Sequence, residues 1–134
     1  MHVWLVKLEE QLPLDKGFRP YRMSMLANAL VKKGHRVTRW CSDFDHLRSV
    51  HRYGCRKSIT IREGYTAELL HSGIRYDKAT SFLRLLDNIL LYLQFIRDAK
   101  QHKDKPELIV CGMPTPELAY ASAKLAKLFK APLV

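Results

Sequence analysis

The sequence predicts an α/β domain: a Rossmann-like, doubly wound sheet whose strands are mostly parallel. Three observations carry the prediction. Short apolar runs at residues 3–7 and 108–111 read as buried central strands, and a third β-rich run follows at 36–40. Between and after them, helical apolar spacing occupies residues 21–33, 81–99 and 116–130. That alternation of strand and helix is the signature of parallel strands with helices on both faces. Finally, 134 residues with 47% hydrophobic and 27% charged side chains suit one domain with a real core.

Each element has a local reason. Residues 8–20 carry Pro13, Asp15, Gly17 and Pro20, which is loop chemistry. In the first helix Met23, Leu26, Ala27, Leu30 and Val31 share a face. Lys32 and Lys33 suit its negative end, and Gly34 supplies a left-handed residue to stop it. Residues 41–57 read as a polar, charged loop. Residues 58–61 and 65–71 read as two short strands around Glu63-Gly64, a hairpin. Thr80 or Ser81 is placed to cap the long helix. Its apolar residues cover more than one face, so it is expected to be buried on two sides or to meet another domain or a membrane. For the last helix Thr115 suits the N-cap, Pro116 the first position and Glu117 the first turn. Leu118, Ala121, Leu125 and Leu128 are its expected buried stripe. Residues 131–134 read as the opening of one more strand, so the chain is expected to be truncated there.

Composition excludes several classes. Cys41, Cys55 and Cys111 are an odd number at irregular spacing, with no C-x-x-C pair, which gives neither a disulfide framework nor a structural zinc site. A reducing compartment, the cytoplasm, is expected. The N-terminus has no secretory signal, and the longest uncharged apolar stretch, residues 88–96, is far below the roughly 20 residues that span a bilayer. The formal charge is +10. Arg48, Arg52, Arg56, Lys57 and Arg62 fall between His46 and Arg62 with no carboxylate among them, a pattern that favours an anionic partner.

In open α/β sheets the ligand lies beyond the carboxyl ends of the strands. The sequence places residues 8–20, 41–46 and 112–117 there. The first loop has one glycine, Gly17, and matches neither G-x-G-x-x-G nor a P-loop. Arg19 and the following helix N-terminus can hold a phosphate, although Gly17 also reads simply as a turn residue. Asp43, Asp45 and His46 form a dense polar cluster able to bind a metal or to act as base and orienter. No second His-rich segment completes a metal site, and His2, His71 and His102 have no visible partner. Cys111 is expected to pack as a small apolar residue. Ser122 and Thr115 lack a G-x-S-x-G context, which gives a serine hydrolase no support.

Four segments in order resemble the N-terminal half of the GT-B-fold glycosyltransferases of family 4, the retaining nucleotide-sugar enzymes. Asp15-Lys16-Gly17-Phe18-Arg19-Pro20-Tyr21-Arg22-Met23 is similar to the family's glycine-containing loop after the first strand. Residues 26–38 fit its L-A-x-x-L-x-x-x-G-H-x-V-T passage. Trp40-Cys41-Ser42-Asp43-Phe44-Asp45-His46, followed by His51-Arg52, resembles a bacterial subgroup that builds surface polysaccharides. Pro114-Thr115-Pro116-Glu117-Leu118-Ala119 resembles its P-T-x-E-L helix start.

The resemblance implies that residues 1–134 are the Rossmann-like, acceptor-side domain of a two-domain enzyme whose C-terminal, donor-binding domain is absent. Gly17 and Arg19 would touch the donor's phosphates or the transferred sugar. Asp15, Asp43, His46 and Thr115 would line the acceptor side of the cleft. The resemblance designates no catalytic residue. The nucleotide-sugar is a substrate, and neither cofactor nor metal is expected. The acceptor implied is a glycan, often lipid-linked, at the inner membrane face. Arg48, Arg52, Arg56 and Lys57 would then meet anionic lipid, at roughly 1 kcal/mol per basic residue near the surface. The donor-binding half would act in cis or in trans. Two other readings stand beside this one: a non-catalytic subunit that recruits the acceptor for a separate chain, and a basic α/β nucleic-acid-binding module. The last rests on charge alone, and no nucleic-acid partner is expected.

Overall fold

A computed structural model of the chain describes residues 1–74, 82–113 and 115–134. Its strands are β1 (His2–Val6), β2 (Arg36–Ser42), β3 (Phe44–Asp45), β4 (Val50–His51), β5 (Lys57–Arg62), β6 (Tyr65–Leu70) and β7 (Leu108–Cys111). The helices are α1 (Arg22–Lys32), α2 (Phe82–Gln101) and α3 (Pro116–Phe129). Five strands form one mixed sheet in the order β5-β6-β2-β1-β7. In it β6, β2, β1 and β7 run parallel, and β5 is an antiparallel edge strand. This is the α/β, mostly parallel arrangement expected from the sequence.

The central strand β1 is buried along its whole length because both sheet faces are covered. Its side chains alternate between the two sides. Val3 and Leu5 meet Met23 and Ala27 of α1, together with Val37 and Tyr65. Trp4 and Val6 face the other way, into a core shared with Trp40, Leu91 and Phe95 of α2, and Leu118 and Leu125 of α3. Trp40 lies edge-on to both Trp4 and Phe95, with ring centroids 5.1 Å away in each case. Edge-on pairs of this kind add about 0.5–1.5 kcal/mol each beyond area burial. His102 closes the cluster, 5.5 Å from both indoles.

The turns follow the expected chemistry. Gly34 takes φ 85° just past α1 and lets the chain enter β2 directly. Glu63-Gly64 joins β5 to β6 as a hairpin, with a register shift between Thr60 and Arg62. Residues 41–57, expected to be all loop, contain the small antiparallel ribbon β3–β4. The last residues pair in parallel fashion with β7 through Ile109 and Leu133, as the opening of a strand would.

For α2 the structure removes one of the two expected arrangements, burial on two sides, and in α3 one stripe position needs correction. Helix α2 buries one narrow stripe, Asp87, Leu91, Phe95 and Ala99, spaced four apart. Phe82, Leu83, Leu85, Leu86, Ile89, Leu90 and Leu93 are exposed, so the helix is covered on one side only. In α3, Leu128 is 55% exposed, and Ser122 and Ala126 complete the buried stripe instead. Thr115 is the N-cap of α3 in extended conformation, but its side chain makes no capping bond. The expected caps of α2, Thr80 and Ser81, lie outside the described residues, as does Pro114. Among the described residues no helix is long and apolar enough to cross a membrane.

Candidate functional site

The parallel strands β1, β2, β6 and β7 end on one edge, which gathers four segments: residues 7–20, 43–56, 71–74, and 112–113 with Thr115. Three were anticipated from sequence. The segment after β6 was not, and it brings in His71.

A cavity of about 380 Å³ opens on this edge between the β1–α1 loop and the β2–β3 region, lined in part by Lys7, Glu9, Gln11, Arg22, His46 and Arg52. His46 packs edge-on against Phe44, with centroids 5.4 Å apart. Burial, with Arg84 and Arg52 nearby, pushes its imidazole below the ordinary value, against the pull of Glu9 and Asp45. At neutral pH the ring is therefore an uncharged hydrogen-bonding group at the cavity wall.

Arg52 holds the cavity's floor. Its Nε donates to Asp15 Oδ1 at 2.7 Å and its Nη2 to Oδ2 at 2.8 Å, a bidentate fork, while Nη1 donates to the Ser42 carbonyl at 2.9 Å. Burial would raise the Asp15 carboxyl, but Arg52 and the Leu12 N–H together hold it below the usual carboxylate range.

The remaining cations read from sequence as one basic patch are also engaged within the chain. Arg56 donates to both carboxylate oxygens of Asp98, at 2.7 and 2.9 Å. Arg48 reaches the Lys16 carbonyl and sits 3.9 Å from Asp45. Lys57 is exposed and lies over the Tyr53 ring, 4.3 Å from its centroid. The patch is a set of tethers linking loops, with Lys57 and half-exposed Arg48 and Arg56 on its outer side.

Gly17 and Arg19 are exposed on the β1–α1 loop. Gly17 has φ 73°, and a Cβ there would meet nothing within 4 Å, so turn geometry is what it supplies. The neighbouring α1 N-terminus, one of the places the sequence offered for a phosphate, is occupied. Glu10 Oε1 accepts the N–H groups of Met23 at 3.1 Å and Ser24 at 3.2 Å. Glu10 also lies 3.8 Å from Arg39 Nη2 and 3.6 Å from Lys7 Nζ. Arg39 is fully buried in β2 and donates to Ser24 Oγ at 2.8 Å. Sequence reading missed this pair. Its signal was an arginine in the middle of an otherwise buried strand, which needs a carboxylate partner.

Asp43 is fully buried just after β2. Its Oδ1 accepts the Tyr53 N–H at 2.8 Å and its Oδ2 the Gly54 N–H at 3.0 Å. The histidine beside it is not His46. His71 Nδ1 lies 3.2 Å and His51 Nδ1 3.4 Å from Asp43 Oδ2. Asp45 instead closes a tight turn, accepting the N–H groups of Leu47 and Arg48. His2, also without a partner in sequence, is buried between Thr38 Oγ1 at 2.8 Å and the Lys105 carbonyl at 3.2 Å. Thr115 is buried beyond the end of β7 and does not line the cavity. Cys111 is half-buried, and that burial raises its thiol.

Compared with protein-family models and with curated proteins, the chain matches none.

Proposed function

We propose that this chain is the acceptor-side half of a retaining, nucleotide-sugar-dependent glycosyltransferase of the GT-B, family 4 type, working in polysaccharide biosynthesis. One observation carries the reading. The motif segments around Asp15–Met23 and Trp40–Arg52, far apart in sequence, meet at the carboxyl edge of one parallel sheet and wall a single cavity through Arg22, His46 and Arg52.

The cavity's chemistry fits a glycan hydroxyl next to a phosphate. Lys7 and Arg22 supply positive charge, Glu9 and Gln11 supply acceptors, and His46 is an uncharged ring. In this reading His46 accepts the hydrogen bond of the attacking hydroxyl and orients it. Asp15 and Arg52 fix the cavity wall, and Asp43 and Thr115 shape the edge around it. Gly17 and Arg19 meet the donor, which the C-terminal half holds in cis or in trans.

The exposed apolar face of α2 gives a lipid-linked acceptor a route to the site. Leu83, Leu86, Leu90 and Leu93 are 37–56% exposed, and such a face lies in a membrane interface with its charged flanks in the headgroup layer. Peripheral contact with the anionic inner face of the membrane follows from this reading. The internal pairing of Arg52 and Arg56 with carboxylates weighs against nucleic-acid binding, which needs cations free to reach successive phosphates.

The test starts from the endogenous protein, isolated from its host extract with whatever chain continues or accompanies it. Intact-mass measurement shows whether a donor-binding half is joined in cis. Transfer of a labelled sugar from nucleotide-sugars to a lipid-linked acceptor then reads the activity. Transfer that is lost in His46→Ala supports the proposal. An isolate without transfer, and without any second sugar-transferase half in cis or in trans, overturns it.

A further inference from the structure

The ends of β2, β4 and β6 converge on a group of side chains of which the proposed function uses only Asp43, to shape the edge. Asp43 follows β2, His51 ends β4 and His71 follows β6. One ligand atom from each lies within 4.8 Å of the other two. The Asp43 Oδ2 to His71 Nδ1 distance is 3.2 Å, and Asp43 Oδ2 to His51 Nδ1 is 3.4 Å.

Hydrogen bonding alone does not account for the group. Asp43 Oδ2 already accepts the Gly54 N–H at 3.0 Å and faces His71. That leaves both ring nitrogens of His51 buried with no hydrogen-bond partner among the described residues. A second carboxylate adds to the imbalance. Asp87, 1% exposed, accepts the Ser72 hydroxyl on one oxygen, and its other oxygen is buried without a partner among the described residues. Both imidazoles are close enough to act on its charge. Buried polar atoms of His51 and Asp87 are thus left without a partner at one spot among the described residues.

We propose that Asp43, His51 and His71 form a three-ligand site for one divalent cation of the zinc class. Zinc bonds to nitrogen and oxygen of about 2.0–2.1 Å set tetrahedral ligand-to-ligand edges of about 3.3–3.4 Å. The two Asp43–histidine distances, 3.2 and 3.4 Å, lie within 0.1 Å of that range, and the ligand atoms of the two histidines lie within 4.8 Å of each other. Imidazole ligands suit zinc rather than calcium or magnesium, which take oxygen ligands. Two of the three ligands are also held from behind. Tyr53 and Gly54 N–H groups fix the carboxylate, and Gln94 clamps the His71 backbone through its N–H at 2.7 Å and its carbonyl at 2.9 Å. The fourth coordination position is left to water.

The probe is zinc chloride added to the chelator-treated chain, followed with a competing chromogenic chelator. Cobalt(II) in its place reports the geometry by visible absorption. His51→Gln and His71→Gln are compared with His35→Gln, which changes a histidine at the opposite edge of the sheet. The expected result is one equivalent of zinc per chain and an intense tetrahedral cobalt spectrum. Affinity should fall by at least about tenfold in each of the first two variants and stay unchanged in the third. Absence of zinc binding, unchanged affinity in His51→Gln and His71→Gln, or equal loss in His35→Gln overturns the proposal. Should either variant fail to fold, ring-nitrogen NMR of the unaltered chain decides. Zinc must shift the His51 and His71 nitrogens, and unmoved rings overturn the proposal.

Discussion

Arg52 grips both carboxylate oxygens of Asp15, at 2.7 and 2.8 Å, across 37 residues of sequence. Both side chains are nearly buried, 10% and 6% exposed. The fork ties the β1–α1 loop to the end of the β3–β4 ribbon and so fixes two walls of the cavity relative to each other. Planar two-point recognition of this kind is a property of guanidinium that lysine does not share.

Removing one member leaves the other charge buried alone. Asp15→Asn is expected to lower stability by about 3 kcal/mol in denaturant unfolding. The pH dependence has a definite sign. The native carboxyl titrates below its unfolded value, so its contribution is complete above about pH 4 and disappears as pH falls through the lower native value. The stability difference between the natural chain and Asp15→Asn should therefore shrink on acidification. A difference that is constant from pH 6 to pH 2 contradicts this.

His102 gives the opposite slope. Its ring lies 3.4 Å from Glu68 Oε1, and that contact, against desolvation, raises its titration above the ordinary histidine value. The stabilisation is complete below about pH 6.5 and is lost as pH rises through the raised native value. Thermal melts of the natural chain and His102→Gln should diverge at pH 6 and converge by pH 9. Divergence that grows with pH would show that the charged form is not the stabilising one.

Glu10 stands at the start of α1, where the sequence left room for an anion. Glu10→Gln keeps a side-chain oxygen for the Met23 and Ser24 N–H groups but removes the charge beside buried Arg39. A loss on the order of 3 kcal/mol is expected, because Arg39 is left as an uncompensated buried cation. A loss well under 1 kcal/mol would mean that Ser24 and Tyr65 satisfy Arg39 by themselves.

The apolar face of α2 allows folding and the proposed membrane contact to be tested separately. Leu85 and Leu93 are 48% and 56% exposed, so Leu85→Glu with Leu93→Glu should change stability by no more than about 0.5 kcal/mol per site. Co-sedimentation with anionic phosphatidylglycerol vesicles should be lost in the double variant and weakened by added salt. Equal sedimentation of the two proteins argues that this face covers something other than lipid.

The elements were legible where local chemistry decides them. The apolar run of β1, the Gly34 stop after α1 and the Glu63-Gly64 hairpin each follow from residues within a few positions of one another. What escaped depends on sheet order. His71 meets Asp43 because β6 lies next to β2, a pairing no local pattern announces. Arg39 and Glu10 are 29 positions apart and meet because β2 lies next to β1. For the same reason the sequence left open whether α2 is buried on two sides or on one. Periodicity gives the apolar positions of a helix, but only its neighbours, here β6 and α3, determine which of them are covered.

The most direct test of an acceptor-side site is an NMR titration of the nitrogen-15-labelled chain with a short-chain prenyl-diphosphate-linked sugar. The account predicts saturable shifts at Tyr21, Arg22, His46 and Arg52, the residues that join the two motif segments around the cavity. It predicts no comparable shifts with duplex DNA. Unmoved resonances at those four residues, or equal shifts with DNA, would contradict it.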